Sequence, residues 1–411
     1  MFTAGPPPVP ATGSAGRSLE LATIVRAHGE HYRHARHLAS SQHRVLRAIA
    51  TCRTAALGGH ATTCDHCGAV QITYNSCRNR HCPKCQTLAK ERWLQRRTAE
   101  LLPVEYFHVV FTLPHELNPL AQGNPRVIYN LLFEAALETL KTFGRDPRHL
   151  GGQLGVTAIL HTWSQTLAQH LHLHCLVTGG ALARDGSRWI PAKRGFLFPV
   201  RALSQVFRGK YLDGLRRAYD RQQLTFAGGV AALADPRAFA VFLTRLRRHR
   251  WVIYSKPPCA GPQQVLEYLG RYTYRVAISN DRLVRLQHGV VRFRWRDRSH
   301  RNRVRIMDLL ADEFLRRFLL HVLPDRFVRI RYGGLLANRS RSANLDRCRH
   351  LLGSHPPDTE PTPEPVADLM LRLTGIDIER CPVCHQRRLQ VTTILPPLRL
   401  SSHQPPAWDT S

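Results

Sequence analysis

The chain reads as an α+β protein: an antiparallel sheet flanked by helices and preceded by a small cysteine-rich module. Two short apolar, β-branched runs, GVTAILH (155–161) and HLHCLVT (172–178), lie close enough in sequence to pair as antiparallel neighbours. Mixed strands and helices, with sheet pairs close in sequence, argue for α+β. Six of the eleven cysteines fall between Cys52 and Cys85, which marks the small module.

Taken in order, the first sixteen residues (MFTAGPPPVPATGSAG) lack a charged start and an apolar run, so no secretory leader is expected and residues 1–25 read as a disordered lead-in. A helical pattern over 26–51 feeds the cysteine region, and a helix over Leu88–Leu101 leaves it, giving a module over 26–100. YFHVVFTLP (106–114) predicts a strand ended by Pro114, and RVIYNLLFEAALETLKTFG (126–144) an amphipathic helix stopped at Gly144. The strands 154–161 and 170–178 follow, with Gly179-Gly180 punctuating the second. Helices are expected around 201–223 and 236–248, then the strand WVIYS (251–255) and a helix from about Gln263 to Tyr272. The main domain is thus bounded at 101–340. HPPDTEPTPEP (355–365) predicts a Pro-rich linker within a 341–395 segment that carries a further C-x-x-C, and 396–411 reads as a disordered tail.

Fifty-nine Lys and Arg against 29 Asp and Glu leave a net charge of +30, a field that favours polyanions through phosphate neutralisation and counterion release. Only six of the 59 are lysines, so genomic bias toward Arg explains the choice of cation better than it explains the excess. In VRFRWRDR (291–298), Arg292, Arg294, Arg296 and Arg298 share one face of a strand and Val291, Phe293 and Trp295 the other, a core-backed basic stripe suited to a phosphate backbone. Arg245, Arg247, Arg248 and Arg250 read as a solvated helix face. Hydrophobic residues make up 43% of the chain, and no run of eighteen apolar residues is present to span a membrane.

The pairs Cys64/Cys67 and Cys82/Cys85 have inner cysteines fifteen positions apart, the spacing of a structural zinc site closed by four thiolates. Disulfides would be the alternative in an oxidising compartment. Cys52, His60, Cys77 and His81 are the number a second zinc would need, or they are ordinary buried thiols and solvated histidines. Cys381 and Cys384, near Cys348, His350 and His385, either close another zinc site or pack as thiols, while Cys175 and Cys259 read as core or inert thiols.

His170, His172 and His174 alternate, so a strand sets them on one face, where imidazoles form a ready clamp for a divalent ion. Twenty-three histidines in the chain would produce such a pattern by chance in roughly one chain of fourteen, so the run by itself decides little. Tyr268 and Tyr272 lie four apart and share one face of the expected helix. Either they pack in the core, the commoner fate, or a phenol oxygen attacks a phosphodiester and conserves its bond energy as a phosphotyrosine.

The ordered series CRTAALGGH (52–60), YNSCRNRHCPKCQ (74–86), LHTW (160–163), HLHLHCLVTGG (170–180), YLGRYTYRVAIS (268–279) and RFLLHVLP (317–324) resembles the rolling-circle insertion-sequence transposases of the IS91 type. The resemblance extends over about residues 26–340. It implies an HUH endonuclease-like fold and a single-strand DNA endonuclease and strand transferase. Its metal-binding histidines would be His172 and His174 and its nucleophiles Tyr268 and Tyr272, with His170 outside the matched pair. Structural zinc and a catalytic magnesium or manganese ion are the implied cofactors. Gln165 is a candidate third ligand by proximity alone. The implied partners are single-stranded DNA at element ends and target and a host helicase or replication machinery, since no G-x-x-x-x-G-K-S or -T loop is present. A cytoplasmic, nucleoid-associated location in a bacterium would follow; oligomeric state is not written in any spacing. A plasmid replication initiator or relaxase with the same chemistry, or a non-catalytic zinc DNA-binding protein, are the alternatives.

Overall fold

The computed structural model describes residues 19–256, 270, 277–297, 300–354, 364–387 and 389–398. The expected lead-in up to residue 18, the helix bearing Tyr268 and Tyr272, Cys259, Arg298, most of the Pro-rich linker and the tail from residue 399 lie outside those residues.

Two helices open the chain, α1 (Leu21–Ala35) and α2 (Ser40–Thr51). The first begins inside the stretch read as a lead-in, because Leu21, Ile24 and Val25 are fully buried at helical spacing. The expected single helical stretch is broken at residues 36–39, where the Gln42 side chain accepts from the Ala39 N–H at 3.0 Å and starts a new helix. A hairpin follows, β1 (Gly59–Cys64) and β2 (Val70–Tyr74), then α3 (Gln86–Thr98).

The main sheet contains β3 (Tyr106–Thr112), β4 (Gly152–Trp163), β5 (Gln169–Ala183), β6 (Trp189–Pro191), β7 (Ile253–Lys256) and β11 (Ile330–Gly334), in the order β11-β4-β5-β3-β7 with β6 added to β5. Every pairing is antiparallel. The short α4 (Asn118–Gly123) and the long α5 (Pro125–Arg145), α6 (Val200–Asp220) and α7 (Pro236–Arg248) supply the helices. The period of two decides which residues meet them. Phe107, Val109 and Phe111 of β3, Val156, Ala158 and Leu160 of β4, and Leu171, Leu173, Cys175 and Val177 of β5 share one core with Leu132, Phe133, Phe207 and Tyr211. Their alternates point to the opposite face.

Gly179 and Gly180 do not end β5, contrary to the expectation. A Cβ at Gly179 would stand 2.6 Å from the Glu105 carbonyl oxygen, and one at Gly180 2.6 Å from the Trp189 ring. The glycines admit close neighbours rather than a turn, and the strand runs on to Ala183.

A meander of β8 (Leu283–Gln287), β9 (Val290–Asp297) and β10 (Arg303–Leu310) leads into α8 (Ala311–Leu319). Val291, Phe293, Phe314 and Phe318 close a second core with α1 and α2. Beyond it, α9 (Arg341–Leu351) buries Leu345 and Cys348 against Leu102, Leu182 and Leu335, and α10 (Val366–Thr374) precedes β12 (Leu389–Leu395). The last strand returns to pair antiparallel with β1, so the third sheet, β12-β1-β2, joins the two ends of the described chain. No described helix is long and apolar enough to cross a membrane.

Candidate active site and cysteine centres

The face of the main sheet turned away from α5 and α6 carries the histidines. Register sets His161 of β4 directly opposite His172 of β5, and on the other side of β5 Val110 lies opposite His174. The ligand nitrogens of His161, His172 and His174 all lie within 4.8 Å of one another, with His161 and His174 buried and His172 half-buried. The His172 and His174 rings are 4.8 Å apart, and the His161 ring is 4.6 Å from that of His174. His170 shares the face, 4.8 Å from His172, yet stands outside the cluster and beside His115.

Two outer contacts orient the rings. His172 Nδ1 donates to the His170 carbonyl at 2.8 Å, which makes Nε2 its ligand atom. His174 Nδ1 meets His108 Nε2 at 2.8 Å, with the two rings stacked. Burial pushes the His108 imidazole down to about 4, so it is neutral at pH 7 and can accept the His174 proton. Three soft-to-borderline nitrogen donors on adjacent strands fit a divalent ion and leave coordination positions open for water or a phosphate oxygen.

His161 was not singled out in the sequence, although it sits in the LHTW motif; Gln165 was. The Gln165 carbonyl accepts from the Arg282 guanidinium and its side-chain oxygen lies 3.5 Å from the Arg296 N–H, which ties it to β9 rather than to the histidines. The missing information is register: residue 161 shares a face with 172 only once the β4–β5 hairpin is aligned, and the alignment includes an irregularity between His161 and Trp163. Trp163 stacks on His161 at 4.7 Å and carries the Arg329 guanidinium 5.1 Å over its own ring, an aromatic and cationic ledge beside the cluster.

Gly270 lies between Tyr268 and Tyr272 in sequence. A Cβ there would stand 2.8 Å from Leu94 Cδ1 on α3, so the absence of a side chain permits close approach to that helix.

The cysteines group differently from the expectation. Cys52, Cys77, Cys82 and Cys85 form one cluster and Cys64, Cys67, Cys381 and Cys384 another. Cys64 and Cys67 therefore do not join Cys82 and Cys85, because the β1–β2 hairpin that carries the first pair is tied to β12 and not to the 82–85 turn. His60 faces strand partners Thr73 and Ile394 within the small sheet. His81 is half-buried, held down to about 3 chiefly by desolvation, with Nε2 3.5 Å from the Leu323 N–H. Neither histidine belongs to a cysteine cluster. Cys348 lies in an apolar core, away from Cys381.

In the first cluster Cys52 and Cys85 Sγ are 3.5 Å apart, Cys77 and Cys85 3.6 Å, and Cys52 and Cys82 3.7 Å. A disulfide needs about 2.05 Å. A tetrahedron of sulfurs at about 2.3 Å from a zinc ion has edges of about 3.8 Å, so the donor set fits that ion. Their mutual hydrogen bonds push the Cys52 and Cys85 thiols down and the Cys77 and Cys82 thiols up.

The basic stripe takes the predicted alternation where it is described. Val291 and Phe293 are buried, Arg294 and Arg296 are exposed, and Arg292 is paired with Asp308 across β10 at 2.6 Å. Exposed Val304 and Ile306 lie opposite Arg296 and Arg294. Arg248 and Arg250 line, with Arg201 and Arg208, a cleft of about 570 Å³ beside α6.

Residues 155–343 match a family model described as putative transposase, and residues 24–113 one described as transposase zinc-binding domain. The chain is 50% identical over 396 residues to the putative transposase y4qJ of Sinorhizobium fredii, covering 95% of this chain and 98% of that one. It is 29% identical over 351 residues to the transposase for insertion sequence element IS801 of Pseudomonas savastanoi pv. phaseolicola, covering 84% of this chain and 82% of the other. No solved structure matches it significantly.

Proposed function

The chain belongs to the IS91-type transposases, and from that membership we propose that it cuts and rejoins single-stranded DNA through 5′-phosphotyrosine intermediates in rolling-circle transposition. It is a DNA-processing enzyme with a zinc-binding domain. The observation that carries the finer reading is the cluster of His161, His172 and His174 on adjacent central strands, inside the region matched to the transposase model.

In this reading His161, His172 and His174 hold a magnesium or manganese ion, with His108 and the His170 carbonyl fixing the rings that face it. When bound, the ion withdraws charge from the scissile phosphate and eases attack by a phenol whose solution pKa is near 10. Tyr268 or Tyr272 supplies the attacking oxygen, forming the bond to the 5′ phosphate as the bond to the 3′ oxygen breaks. The departing strand keeps a free 3′ hydroxyl. The second tyrosine cleaves a target or the far element end, and the 3′ hydroxyl then displaces a tyrosine and closes the phosphodiester. Arg294 and Arg296, and the arginines of the α6 cleft, suit phosphate tracking. Cys52, Cys77, Cys82 and Cys85 hold a structural zinc that fixes α2 to the start of α3. Strand separation falls to a host helicase.

Labelled single-stranded oligonucleotides tiling the DNA that flanks the gene, incubated with the protein and manganese, should yield a covalent adduct. The adduct should vanish in the Tyr268→Phe, Tyr272→Phe double variant, and in His172→Ala, His174→Ala with DNA binding largely kept. An adduct undiminished in the tyrosine double variant overturns the nucleophile assignment, and no adduct with any tile overturns the strand-transfer reading.

A further inference from the structure

We propose that Cys64, Cys67, Cys381 and Cys384 hold a second zinc ion, which locks the C-terminal strand onto the N-terminal hairpin and makes the zinc-binding module a composite of both ends of the chain. Half of its ligands lie well beyond residues 24–113, the stretch matched to the zinc-binding family model.

Three independent observations carry it. The four sulfurs gather, with Cys64 and Cys384 Sγ 3.6 Å apart and Cys67 and Cys381 3.7 Å, close to the edge of about 3.8 Å of a zinc–thiolate tetrahedron and far beyond a disulfide bond.

The two C-x-x-C turns are also built alike, although 314 residues separate Cys67 from Cys381. In the first, Cys64 N–H donates to the Ala69 carbonyl at 2.9 Å and Gly68 N–H to the Cys64 carbonyl at 2.8 Å; in the second, Cys381 N–H donates to the Gln386 carbonyl at 2.8 Å and His385 N–H to the Cys381 carbonyl at 2.9 Å. Gly68 has a φ of 68° and His385 one of 59°, so both turns close on a left-handed residue at the same place. A non-glycine residue there is uncommon, and its backbone cost is tolerated where something else fixes the turn. Val383 N–H lies 3.4 Å from Cys381 Sγ, a donor placed to stabilise a thiolate.

Finally, β12 completes the β12-β1-β2 sheet with six register pairs from Gly59↔Leu395 to Cys64↔Leu389. Yet that sheet has almost no core of its own: Val70, Ile72, Val391 and Ile394 are 55–80% exposed. Ladder hydrogen bonds between solvated strands add little by themselves. A cross-link between Cys64 and Cys67 at the β1–β2 turn and Cys381 and Cys384 ahead of β12 supplies what apolar burial does not.

The test uses the full chain carrying His172→Ala and His174→Ala, so that the histidine cluster adds no metal. Elemental analysis should find two zinc ions per chain, one for each four-cysteine group, and one after Cys381→Ser and Cys384→Ser are added. Cobalt exchanged for zinc should show thiolate-to-metal absorption that falls by half in the same variant. A second measurement needs no cysteine change: a protease site placed within residues 355–363 is cut, and the C-terminal piece should co-elute with the body until a zinc chelator releases it. Two zinc ions persisting in the Cys381→Ser, Cys384→Ser protein, or a cut piece that leaves the zinc-loaded body or stays after chelation, would overturn the proposal.

Discussion

His108 meets His174 Nδ1 from β3, and its position there decides which nitrogen His174 offers to an ion. Replacing it with Phe keeps the volume and removes the acceptor. Such second contacts to metal-binding histidines are worth about 10–100-fold in affinity, so manganese binding in His108→Phe, followed by calorimetry, should weaken by about that factor. Cleavage should recover at saturating manganese, and an unchanged affinity would remove His108 from the site. His321 plays a different part. Fully buried, it accepts from the Thr162 hydroxyl at 3.2 Å and donates to the Leu167 carbonyl at 3.0 Å, and desolvation holds it down to about 4 against an ordinary 6.5. Between those values the unfolded chain binds the proton and the folded one does not. Stability from this group is therefore complete above pH 6.5 and is lost as pH falls toward 4. From pH 7.5 to 5 the loss is about 2 kcal/mol. Urea titrations across that interval should show a shallower decline in His321→Phe than in the parent, and parallel declines would refute the assignment.

At the scale of elements, β11 closes the sheet edge beside β4, and Gly334 is what lets it end there. Gly334 has a φ of 62°, and a Cβ on it would stand 1.7 Å from the Leu154 carbonyl oxygen, which Leu335 N–H uses at 2.9 Å. Gly334→Ala combines a left-handed strain with a backbone clash, so it should cost about 2–4 kcal/mol by urea unfolding. Gly209→Ala, inside α6 with nothing within 4 Å of the new methyl, should instead stabilise by about 0.4–1 kcal/mol. If both substitutions prove neutral, the edge of β11 is held otherwise. The same contrast explains what the sequence could disclose. Strands β3, β4 and β5 were readable because one face of each meets α5 and α6, which writes an apolar period of two into 107–111, 156–160 and 171–177. Strands β1, β2 and β12 carry no such pattern, since little of them is covered, and their pairing joins residues more than 300 apart. Neighbouring C-x-x-C pairs therefore suggested one cluster where strand pairing makes two. Alternation set His170, His172 and His174 on one face and the family resemblance singled out the last two, whereas His161 and His108 depend on the alignment of β4 and β3 with β5.

For the molecule as a whole, a net charge of +30 favours attraction to DNA and leaves the face that receives it unspecified. What distinguishes a DNA face from a solvated one is which arginines are committed to partners within the protein. Arg292 is spent on Asp308, which holds its guanidinium in a two-pronged pair at 2.6 and 2.7 Å and raises its pKa further. Arg294 and Arg296 stand exposed on the same face of β9, interleaved with exposed Val304 and Ile306 from β10, so a strand lying across this face would meet cations and apolar surface in alternation. Each phosphate neutralised on single-stranded DNA contributes about 0.7 to the slope of log affinity against log salt. The Arg294→Ala, Arg296→Ala double variant should therefore lose about 1.4 from that slope, read by fluorescence anisotropy over a salt series, with zinc content unchanged. Arg292→Ala should change the slope far less, because its charge is already balanced by Asp308. Equal effects from Arg292 and Arg294, or a slope unmoved in the double variant, would take the DNA off this sheet and direct attention to the arginines lining the α6 cleft.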